Sequence, residues 1–270
     1  MVVTAAPTSE TAQEIINGRL YREVDLVQTY APVKLHPAEA TALVRYRDDI
    51  HGQRVLDLGC GAGRLTTYLR PLVKNYVGLD VSAHMVKHCQ KTFPGLDFIE
   101  GDMRSLSPFD DGTFDSVFAV ANLFDAVSHQ ERLQVLAEVR RVLVPGGLLV
   151  FSTHNRNFIH AGTGPRLKLH RNPITQLREL VDYVQARLNH RRIKPFHRSE
   201  PGYALFNDSG NNYHTLHYYI ARDAQLQQLA QAGYEPIECL GDWGETLGGR
   251  SRDEVYSSLL YIARRDDACR

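Results

Sequence analysis

Short hydrophobic runs alternate with stretches of helical spacing between residues 54 and 153. The runs are rich in β-branched and aromatic residues, which favour strands, and the stretches between them are long enough for helices. This rhythm is typical of a parallel sheet wound with helices on both faces. The predicted strands are 55–58, 76–80, 98–100, 114–120 and 147–153.

The clearest helix in this region is predicted at 128–143. Leu133, Leu136 and Val139 recur there at a spacing of three, which places them on one helical face. Ser128 is a suitable N-cap, and the Pro145-Gly146-Gly147 sequence ends the helix. The helix is therefore expected to pack its apolar face on the sheet.

The alternation ends after Thr153, and residues 154–212 are rich in Arg, His and Pro. Asn172 followed by Pro173 is a helix-start signal, and an apolar stripe at helical spacing comes after it. We therefore predict an amphipathic helix in this insertion. Beyond it the sequence predicts a strand, a helix and two further strands at 213–220, 223–232, 236–240 and 256–263. The stripe consists of Ile174, Leu177, Leu180, Val181, Val184 and Leu188.

Composition describes an ordinary globular protein: 270 residues, 43% hydrophobic, with 31 Lys+Arg against 31 Asp+Glu. A net charge of zero provides no overall field that would attract nucleic acid or an anionic membrane. The charge is nevertheless uneven, because residues 154–198 hold ten Lys/Arg and two acids. That excess is compatible with a solvated helix end, an anionic small substrate, an acidic carrier protein or RNA.

The cysteines Cys60, Cys89, Cys239 and Cys269 show neither a C-x-x-C motif nor zinc-finger spacing, so no metal site is expected. No stretch approaches the roughly 20 apolar residues of a membrane span, and the first residues do not resemble a secretory signal. We therefore expect a cytoplasmic protein with no membrane partner. The sequon at 207–209 is then a coincidence.

The most informative stretch runs from Val55 to Arg64, with the sequence Val-Leu-Asp-Leu-Gly-Cys-Gly-Ala-Gly-Arg. Glycines in a strand-to-helix turn let a ligand approach backbone N–H groups. A dinucleotide fingerprint requires glycine at Arg64, and a phosphate-binding P-loop requires Gly-Lys-Ser/Thr, so neither fits. An acid, Asp57, two residues before Gly-x-Gly-x-Gly resembles motif I of the class I S-adenosylmethionine-dependent methyltransferases.

Further landmarks of that family follow in order along the chain. Asp80 ends the second predicted strand, where the family's acid binds the ribose hydroxyls. Asp102 and Met103 follow the third strand, where the family contacts adenine, and Asn122 follows the fourth. Taken singly, these residues also fit plain turns and helix caps. The ordered series indicates a class I methyltransferase.

The resemblance implies S-adenosyl-L-methionine as cofactor and S-adenosyl-L-homocysteine as product. It implies an α/β, Rossmann-like sheet of seven mostly parallel strands with helices on both faces, an N-terminal lid and a helical cap inserted after strand five. The corresponding parts are a lid at 1–50, a cofactor-binding core at 51–153, a cap at 154–212 and a completion of the sheet at 213–270. The cofactor residues expected from it are Asp57, Gly59, Cys60, Gly61, Gly63, Asp80, Val81, Met85, Asp102, Met103, Asn122 and Tyr21.

Candidates for proton transfer cluster in the run 211–219, which contains two His and three Tyr. Strand alternation would bring Tyr213, His217 and Tyr219 to one face, above a ligand; an alternative is that these aromatics fill the join between insertion and core. His154 follows strand five, at the edge where open α/β sheets bind ligands. The predicted catalytic residues are His217, Tyr213 and His154. The predicted substrate-binding residues are Tyr30, His214, Tyr218 and Asp125, with His129 a weaker candidate.

The expected activity is methyl transfer to a small molecule by in-line displacement, with assistance from His and Tyr. The acceptor could be an N, O or C nucleophile, for example a secondary metabolite or a small peptide. Two alternatives stay open: methylation of RNA or of a carrier-bound substrate at the basic cap, and a non-catalytic cofactor-binding protein. The sequence after strand four, from Ala121 to Phe124, lacks the Pro-Pro pair of adenine-N6 DNA methyltransferases. A homodimer is also compatible with the sequence.

Overall fold

The computed structural model describes residues 8–31, 34–249 and 251–266. Cys269 lies outside these residues. So do residues 1–7 of the predicted lid and 267–270 of the predicted C-terminal completion of the sheet. The described part contains one sheet with ten strands. The strands are β1 (Arg54–Leu58), β2 (Asn75–Asp80), β3 (Asp97–Glu100), β4 (Phe114–Ala119), β5 (Leu143–Asn155), β6 (Arg198–Ser199), β7 (Tyr203–Phe206), β8 (His217–Ile220), β9 (Tyr234–Leu240) and β10 (Ser258–Arg265).

Helices flank the sheet and also cover the edge formed by its carboxyl ends. The 128–143 prediction is confirmed, since α7 starts after Ser128, whose side chain accepts from the N–H of Glu131. The α-helices are α1 (Ser9–Glu23), α2 (Val27–Tyr30), α3 (Pro37–Arg45), α4 (Arg47–Ile50), α5 (Thr66–Leu69), α6 (Ala83–Thr92), α7 (His129–Val142), α8 (Pro173–Ile193) and α9 (Arg222–Gln231). The 3-10 turns are η1 (Leu123–Ala126), η2 (Lys194–Phe196) and η3 (Gly210–Tyr213).

Seven strands form the expected sheet, in the order β3-β2-β1-β4-β5-β10-β9. The pairs from β3 to β5 are parallel, and β10 runs antiparallel to both β5 and β9. The predicted mostly parallel α/β sheet is therefore confirmed. This arrangement gathers the carboxyl ends of β1, β2, β4 and β5 at one edge, where ligands bind in open α/β sheets.

The sheet extends beyond the predicted seven strands. The last residues of β5 extend beyond β4 and pair with β8, His154 opposite Tyr219 and Asn155 opposite Ile220, while His154 also still pairs with Ser258 of β10. Strands β7 and β6 then add in antiparallel order. The insertion therefore combines the predicted helix α8 with a small sheet, because β5 is long enough to serve two sets of neighbours.

The predicted strand at 213–220 is correct only from His217 onward. Asn211, Asn212 and Tyr213 have φ of 48°, 51° and 62°. Such left-handed backbone cannot continue a strand, so η3 turns the chain before β8 begins. The alternation expected for Tyr213 and His214 therefore fails, whereas His217 and Tyr219 do share a face.

Alternating residues of the strands build a hydrophobic core on each face of the sheet. Leu56 of β1 packs in the core that includes Leu136 and Val139 of α7. Val55 packs in the opposite core with Val86 of α6. The two-residue period of β-structure thus fixes which side chains face each helical layer.

Candidate active site

The glycine-rich turn follows β1 directly and approaches η1 closely. A Cβ on Gly59, which has φ of 68°, would lie 2.4 Å from Cδ1 of Leu123. The N–H of Gly61 donates to Oδ2 of Asp80 at 2.8 Å, so the turn is tied to the end of β2. Glycine is required here because both the backbone conformation and the close approach exclude a side chain.

A cavity opens above this turn, between the carboxyl ends of β1–β4 and the helix α1. The walls include eleven of the twelve predicted cofactor residues. Gly63 is the exception: its φ is 83°, and a Cβ there would lie 2.3 Å from Cε2 of Phe93. Gly63 therefore serves the packing of the turn on α6. The eleven are Asp57, Gly59, Cys60, Gly61, Asp80, Val81, Met85, Asp102, Met103, Asn122 and Tyr21.

Two carboxylates lie in the part of the cavity next to the turn. Asp57 is buried, and this burial raises its pKa to about 7, although Tyr76 donates to Oδ2 at 2.7 Å. Burial also raises the pKa of Asp80, against the hydrogen bonds from the N–H groups of Ser82 and Gly61. Both sites therefore favour a cationic or hydroxyl-bearing ligand that compensates for the desolvated charge.

Cys60 lines the cavity and is not a nucleophile in this setting. Its side chain is buried, and its thiol pKa is raised by the hydrogen bond with Cys89 and by burial. A thiol held protonated in this way is unreactive.

Asp102 is held by two arginines. Arg104 donates to both of its carboxylate oxygens, at 2.9 and 2.6 Å, and Arg22 of α1 donates to Oδ2 at 2.6 Å. Burial raises the pKa of Asp102, but the hydrogen bonds and charge of Arg104 outweigh it, so the pKa is lowered. A ligand at this end would meet an ionised Asp102 that already joins α1 to the floor of the cavity.

Two buried amides attach α1 across the top of the site. Gln13 donates to the carbonyls of Asp125 and Leu216, and Asn17 donates to those of Ala126 and Leu216. Asn17 also accepts from the N–H of Leu216 at 3.1 Å. The N-terminal segment therefore covers the cavity, joining the turn after β4 to the start of β8.

Asn122 lies on the cavity wall just after β4, and three hydrogen-bond contacts define its position. Ala121 and Asn122 both have φ of 57°, an unfavourable conformation for residues other than glycine. The N–H of Asn122 donates to Ser152, and its Oδ1 accepts from Ser258. Its Nδ2 lies 3.2 Å from Nε2 of His154.

Behind Asn122, His154 is oriented by Asp125. Its Nδ1 and its backbone N–H both lie 2.7 Å from Oδ2 of Asp125. Asp125 is fully buried and also accepts from Thr153 and from the fully buried Arg132. Asp125 was predicted to bind substrate; that prediction is wrong, because its carboxylate is enclosed and positions His154.

His217 forms a second histidine–carboxylate pair. Its Nδ1 lies 2.8 Å from Oδ2 of Asp208, which also accepts from the hydroxyl of Tyr219. Its Nε2 lies 3.3 Å from the hydroxyl of Tyr21, a cavity wall residue. Burial lowers the pKa of His217, but the charge and hydrogen bond of Asp208 outweigh it, so the pKa is raised; the pKa of Asp208 is correspondingly lowered.

The two histidines stand one residue behind the cavity wall. His217 reaches the cavity through Tyr21, and His154 reaches it through Asn122. Nε2 of His154 lies 3.7 Å from Oδ2 of Asp208, so the two pairs lie side by side.

The same three groups, His154, Asp208 and His217, offer ligand atoms within 4.8 Å of one another. The imidazoles stack, however, with 12° between their planes. A metal ion must lie in the plane of each imidazole that binds it, and stacked planes do not converge on one point. Since Asp208 is also hydrogen bonded to His217 and Tyr219, the cluster is better suited to holding protons than to holding a metal.

The remaining predicted acceptor residues divide between the cavity and other surroundings. Tyr30 lines the cavity and donates to Oδ1 of Asn211. Tyr213 packs edge-on against His190, His214 is exposed, and Tyr218 is buried with its hydroxyl 2.7 Å from Nδ1 of His129. Strand alternation placed Tyr213 on the same face as His217, and the left-handed turn before β8 breaks that alternation. Tyr218 lies within β8, next to His217 in the chain and therefore on the opposite face of the strand.

Several site residues were not found from the sequence. Asp208 lies inside the sequon at 207–209, and its neighbour Asn207 is fully buried with both amide atoms hydrogen bonded. Asn211, Arg22 and Asn17 contribute through long-range contacts that leave no local pattern. An acid nine residues before His217 was the one available signal.

Residues 55–147 match a protein family described as "Methyltransferase domain". The matched segment contains the glycine turn, Asp80, Asp102 and Asn122. This stretch is a methyltransferase domain, and its sheet has the class I methyltransferase fold.

Curated relatives of the domain include two mycobacterial enzymes. A phthiotriol/phenolphthiotriol dimycocerosates methyltransferase from Mycobacterium ulcerans is 41% identical over 108 residues, 38% of this chain and 38% of the relative. A fatty-acid O-methyltransferase from Mycolicibacterium smegmatis is 35% identical over 136 residues, 48% of this chain and 45% of the relative. The chain thus matches less than half the length of these relatives, all within methyltransferase sequences.

A solved structure is similar in fold to nearly the whole chain, including the segments before and after the methyltransferase domain. The 1,6-didemethyltoxoflavin-N1-methyltransferase of Burkholderia thailandensis, with bound 1,6-didemethyltoxoflavin and S-adenosylhomocysteine, superposes with a TM-score of 0.59. The match covers 99% of this chain and 94% of that chain at 14% sequence identity. Within the described residues, there is no helix with the length and apolar character needed to cross a membrane.

Proposed function

We propose that this protein transfers the methyl group of S-adenosylmethionine to a small-molecule acceptor that loses a proton. One observation carries the proposal: a cavity built by the methyltransferase motifs is bounded by Tyr21 and Asn122, and each of these contacts a histidine–carboxylate pair. A non-catalytic binding protein has no need of two such pairs at its ligand cavity.

The donor set of the cavity suits this cofactor. Asp57 and Asp80 are desolvated carboxylates beside the glycine turn, and the turn leaves room where a Cβ on Gly59 would clash. Asp80 would accept from the ribose hydroxyls of the cofactor, and Met103 and Met85, which line the cavity, would provide an apolar wall for its adenine ring. When bound, the cofactor supplies the electrophilic methyl group.

The chain's own residues would orient the acceptor and receive its proton. The hydroxyl oxygen of Tyr21 accepts from Asn211, which leaves its proton free for Nε2 of His217. Because Nδ1 of His217 faces Asp208, Nε2 is the atom that accepts a proton in the neutral tautomer. A proton lost by the acceptor at Tyr21 can therefore pass to His217, and Asp208 stabilises the resulting imidazolium.

Lid contacts support exclusion of water from the reacting groups. Arg22 joins α1 to Asp102, and Asn17 joins it to Ala126 beside the cavity. Such a cover lowers the local dielectric and strengthens the alignment that methyl transfer requires.

The names of the relatives bear on the acceptor class. The names of the mycobacterial relatives specify dimycocerosates and fatty acids, and the Burkholderia thailandensis enzyme holds 1,6-didemethyltoxoflavin. These names support a small-molecule acceptor. We place the protein in the cytoplasm, which accords with the free thiols of Cys60, Cys89 and Cys239.

Ligand binding is tested by thermal unfolding with S-adenosylhomocysteine. The wild-type melting temperature should rise with ligand concentration, as mass action requires, and the rise should be lost in Asp80→Asn. Asp97→Asn is the matched control, since Asp97 is an exposed carboxylate at the opposite end of the neighbouring strand β3. If the melting temperature of the wild-type protein does not change with the ligand, the cofactor assignment is contradicted.

Catalysis is tested separately with isotopically labelled methyl donor and a fractionated cell extract. Mass spectrometry should find label in a small-molecule product that is absent with the Asp80→Asn variant. Binding without any labelled product would favour the non-catalytic alternative. Label in RNA or protein would redirect the acceptor assignment.

A further inference from the structure

Helix α8 exposes the apolar stripe that the sequence predicted. The six stripe residues are 44–65% exposed, and Leu169 of the preceding loop is 86% exposed. An apolar surface of this length is uncommon on a protein that meets only water. The stripe consists of Ile174, Leu177, Leu180, Val181, Val184 and Leu188.

The opposite face of α8 fixes the helix on the protein. Ala186, Asn189, His190 and Ile193 are buried, and Ile193 packs with Ala12 and Leu216. Asn189 donates to the carbonyl of Asn212, and Nδ1 of His190 lies 2.9 Å from Oδ1 of Asn207. At about 100° per residue, Leu177 and Leu188 point away from this buried face. The stripe therefore faces outward by construction.

Arginines border the stripe on both sides. Arg187 and Arg191 follow one border, and Arg178 and Arg192 follow the other, on the spacing of the same helix. The acids Glu179 and Asp182 fall on the inner side, toward the buried face, where Glu179 accepts from the N–H of Lys168. The outward surface is thus apolar in its centre and cationic at its edges.

This charge pattern selects among the partners that could cover the stripe. A second copy of α8 would bring arginine borders together, since the border positions hold no acid. Repulsion of that kind opposes a helix pair. A surface of anionic lipid headgroups over hydrocarbon satisfies both parts of the pattern, because arginine side chains reach headgroups while apolar side chains enter below them.

We propose that α8 is an interfacial anchor that lies flat on an anionic lipid surface. Leu177, Val181, Val184 and Leu188 would enter the acyl boundary, and Arg187 and Arg191 would contact phosphate groups. This binding is peripheral, which is consistent with the lack of a membrane-spanning helix in the described residues. The inference goes beyond methyl transfer and does not depend on it.

The experiment is co-sedimentation of the full chain with vesicles of phosphatidylcholine alone or mixed equally with phosphatidylglycerol. Wild type should bind the mixed vesicles, and binding should weaken as salt is added. Arg187→Gln/Arg191→Gln should weaken binding by about thirtyfold, and Leu177→Gln/Val184→Gln by about tenfold or more. All four residues are exposed, so folding should be preserved, and far-UV circular dichroism verifies it.

Matched controls come from exposed positions outside the anchor. Val44→Gln and Arg47→Gln change one apolar and one basic residue that are both exposed, and should bind vesicles like wild type. The proposal would be overturned if these controls lost vesicle binding as much as the α8 variants do. It would also be overturned if Leu177→Gln/Val184→Gln bound the mixed vesicles as well as wild type does.

Two other outcomes name different partners. If sedimentation velocity shows a dimer that Leu177→Gln/Val184→Gln converts to monomer, and mixed vesicles are not bound, the stripe is a subunit interface. If RNA is retained on filters and the arginine variant releases it while vesicles stay unbound, the surface serves RNA. Either result would replace the lipid anchor.

Discussion

The imidazole rings of His154 and His217 stack with their centroids 5.0 Å apart, although they come from different strands of the sheet. Each has its own carboxylate, Asp125 for His154 and Asp208 for His217. The contact depends on the long β5, whose last residues pair with β8. Strand β8, which follows the insertion, therefore completes the proposed proton-handling cluster beside the methyltransferase domain.

His217→Gln should lower the turnover number by about a hundredfold, because a neutral amide cannot take the acceptor's proton. The dissociation constant for S-adenosylhomocysteine should change by less than about twofold, since His217 lies behind Tyr21. Steady-state kinetics with the identified acceptor and calorimetric titration measure the two quantities. His214→Gln is the matched control, as His214 is exposed three residues earlier. Unchanged turnover in His217→Gln would remove this histidine from the chemistry.

The pH profile of turnover should report the His217–Asp208 pair. The base must be neutral, and the pKa of His217 is raised because Asp208 outweighs burial. Turnover should therefore increase with pH and level off only above the ordinary histidine range. Asp208→Asn removes the charge that raises this pKa, so the midpoint should move to lower pH. A profile that keeps its midpoint in the variant would show that another group is titrating.

The parts of the site that follow local motifs were predicted from the sequence. Asp57, Gly61, Asp80 and Asp102 come to one cavity because each lies at or just after the carboxyl end of a parallel strand, and these ends meet at the same edge of the sheet. To predict such residues, one needs only the order of the strands and the turns after them. The hydrophobic pattern of 54–153 supplies both.

Other features depend on contacts that no local pattern records. Asp208 meets His217 because η3 passes through left-handed residues, among them the non-glycine Tyr213. The direction of the α8 stripe is likewise set by the buried Asn189 and His190 on its other face. Helical spacing predicted the stripe, but it could not tell whether the stripe faces the protein or the exterior.

Asp57→Asn should stabilise the protein more at pH 8 than at pH 5. Burial raises the pKa of Asp57 to about 7, above the value near 4 of an unfolded chain. Between these values only the unfolded state has released the proton, so the free energy of unfolding falls as pH rises toward 7. The variant lacks this loss. Its free energy of unfolding relative to wild type should therefore increase by about 2–3 kcal/mol between pH 5 and pH 8.

Urea unfolding at both pH values measures this difference. Any constant change in hydrogen bonding to Tyr76 cancels when the two pH values are compared. Asp97→Asn removes an exposed carboxylate and should give the same difference at pH 5 and pH 8. A pH-independent Asp57→Asn would mean that Asp57 is ionised throughout this range.

Gly63→Ala should destabilise the fold more than Gly52→Ala does. Both glycines have left-handed backbone, with φ of 83° and 73°, so each substitution carries a similar conformational cost of about 1 kcal/mol. A Cβ at Gly63 would also meet the ring of Phe93 at 2.3 Å, whereas at Gly52 none of the described residues comes within 4 Å. The overpacking should add about 1–3 kcal/mol at Gly63 alone. Urea unfolding compares the two variants, and equal losses would show that Gly63 is retained for backbone conformation and not for packing against α6.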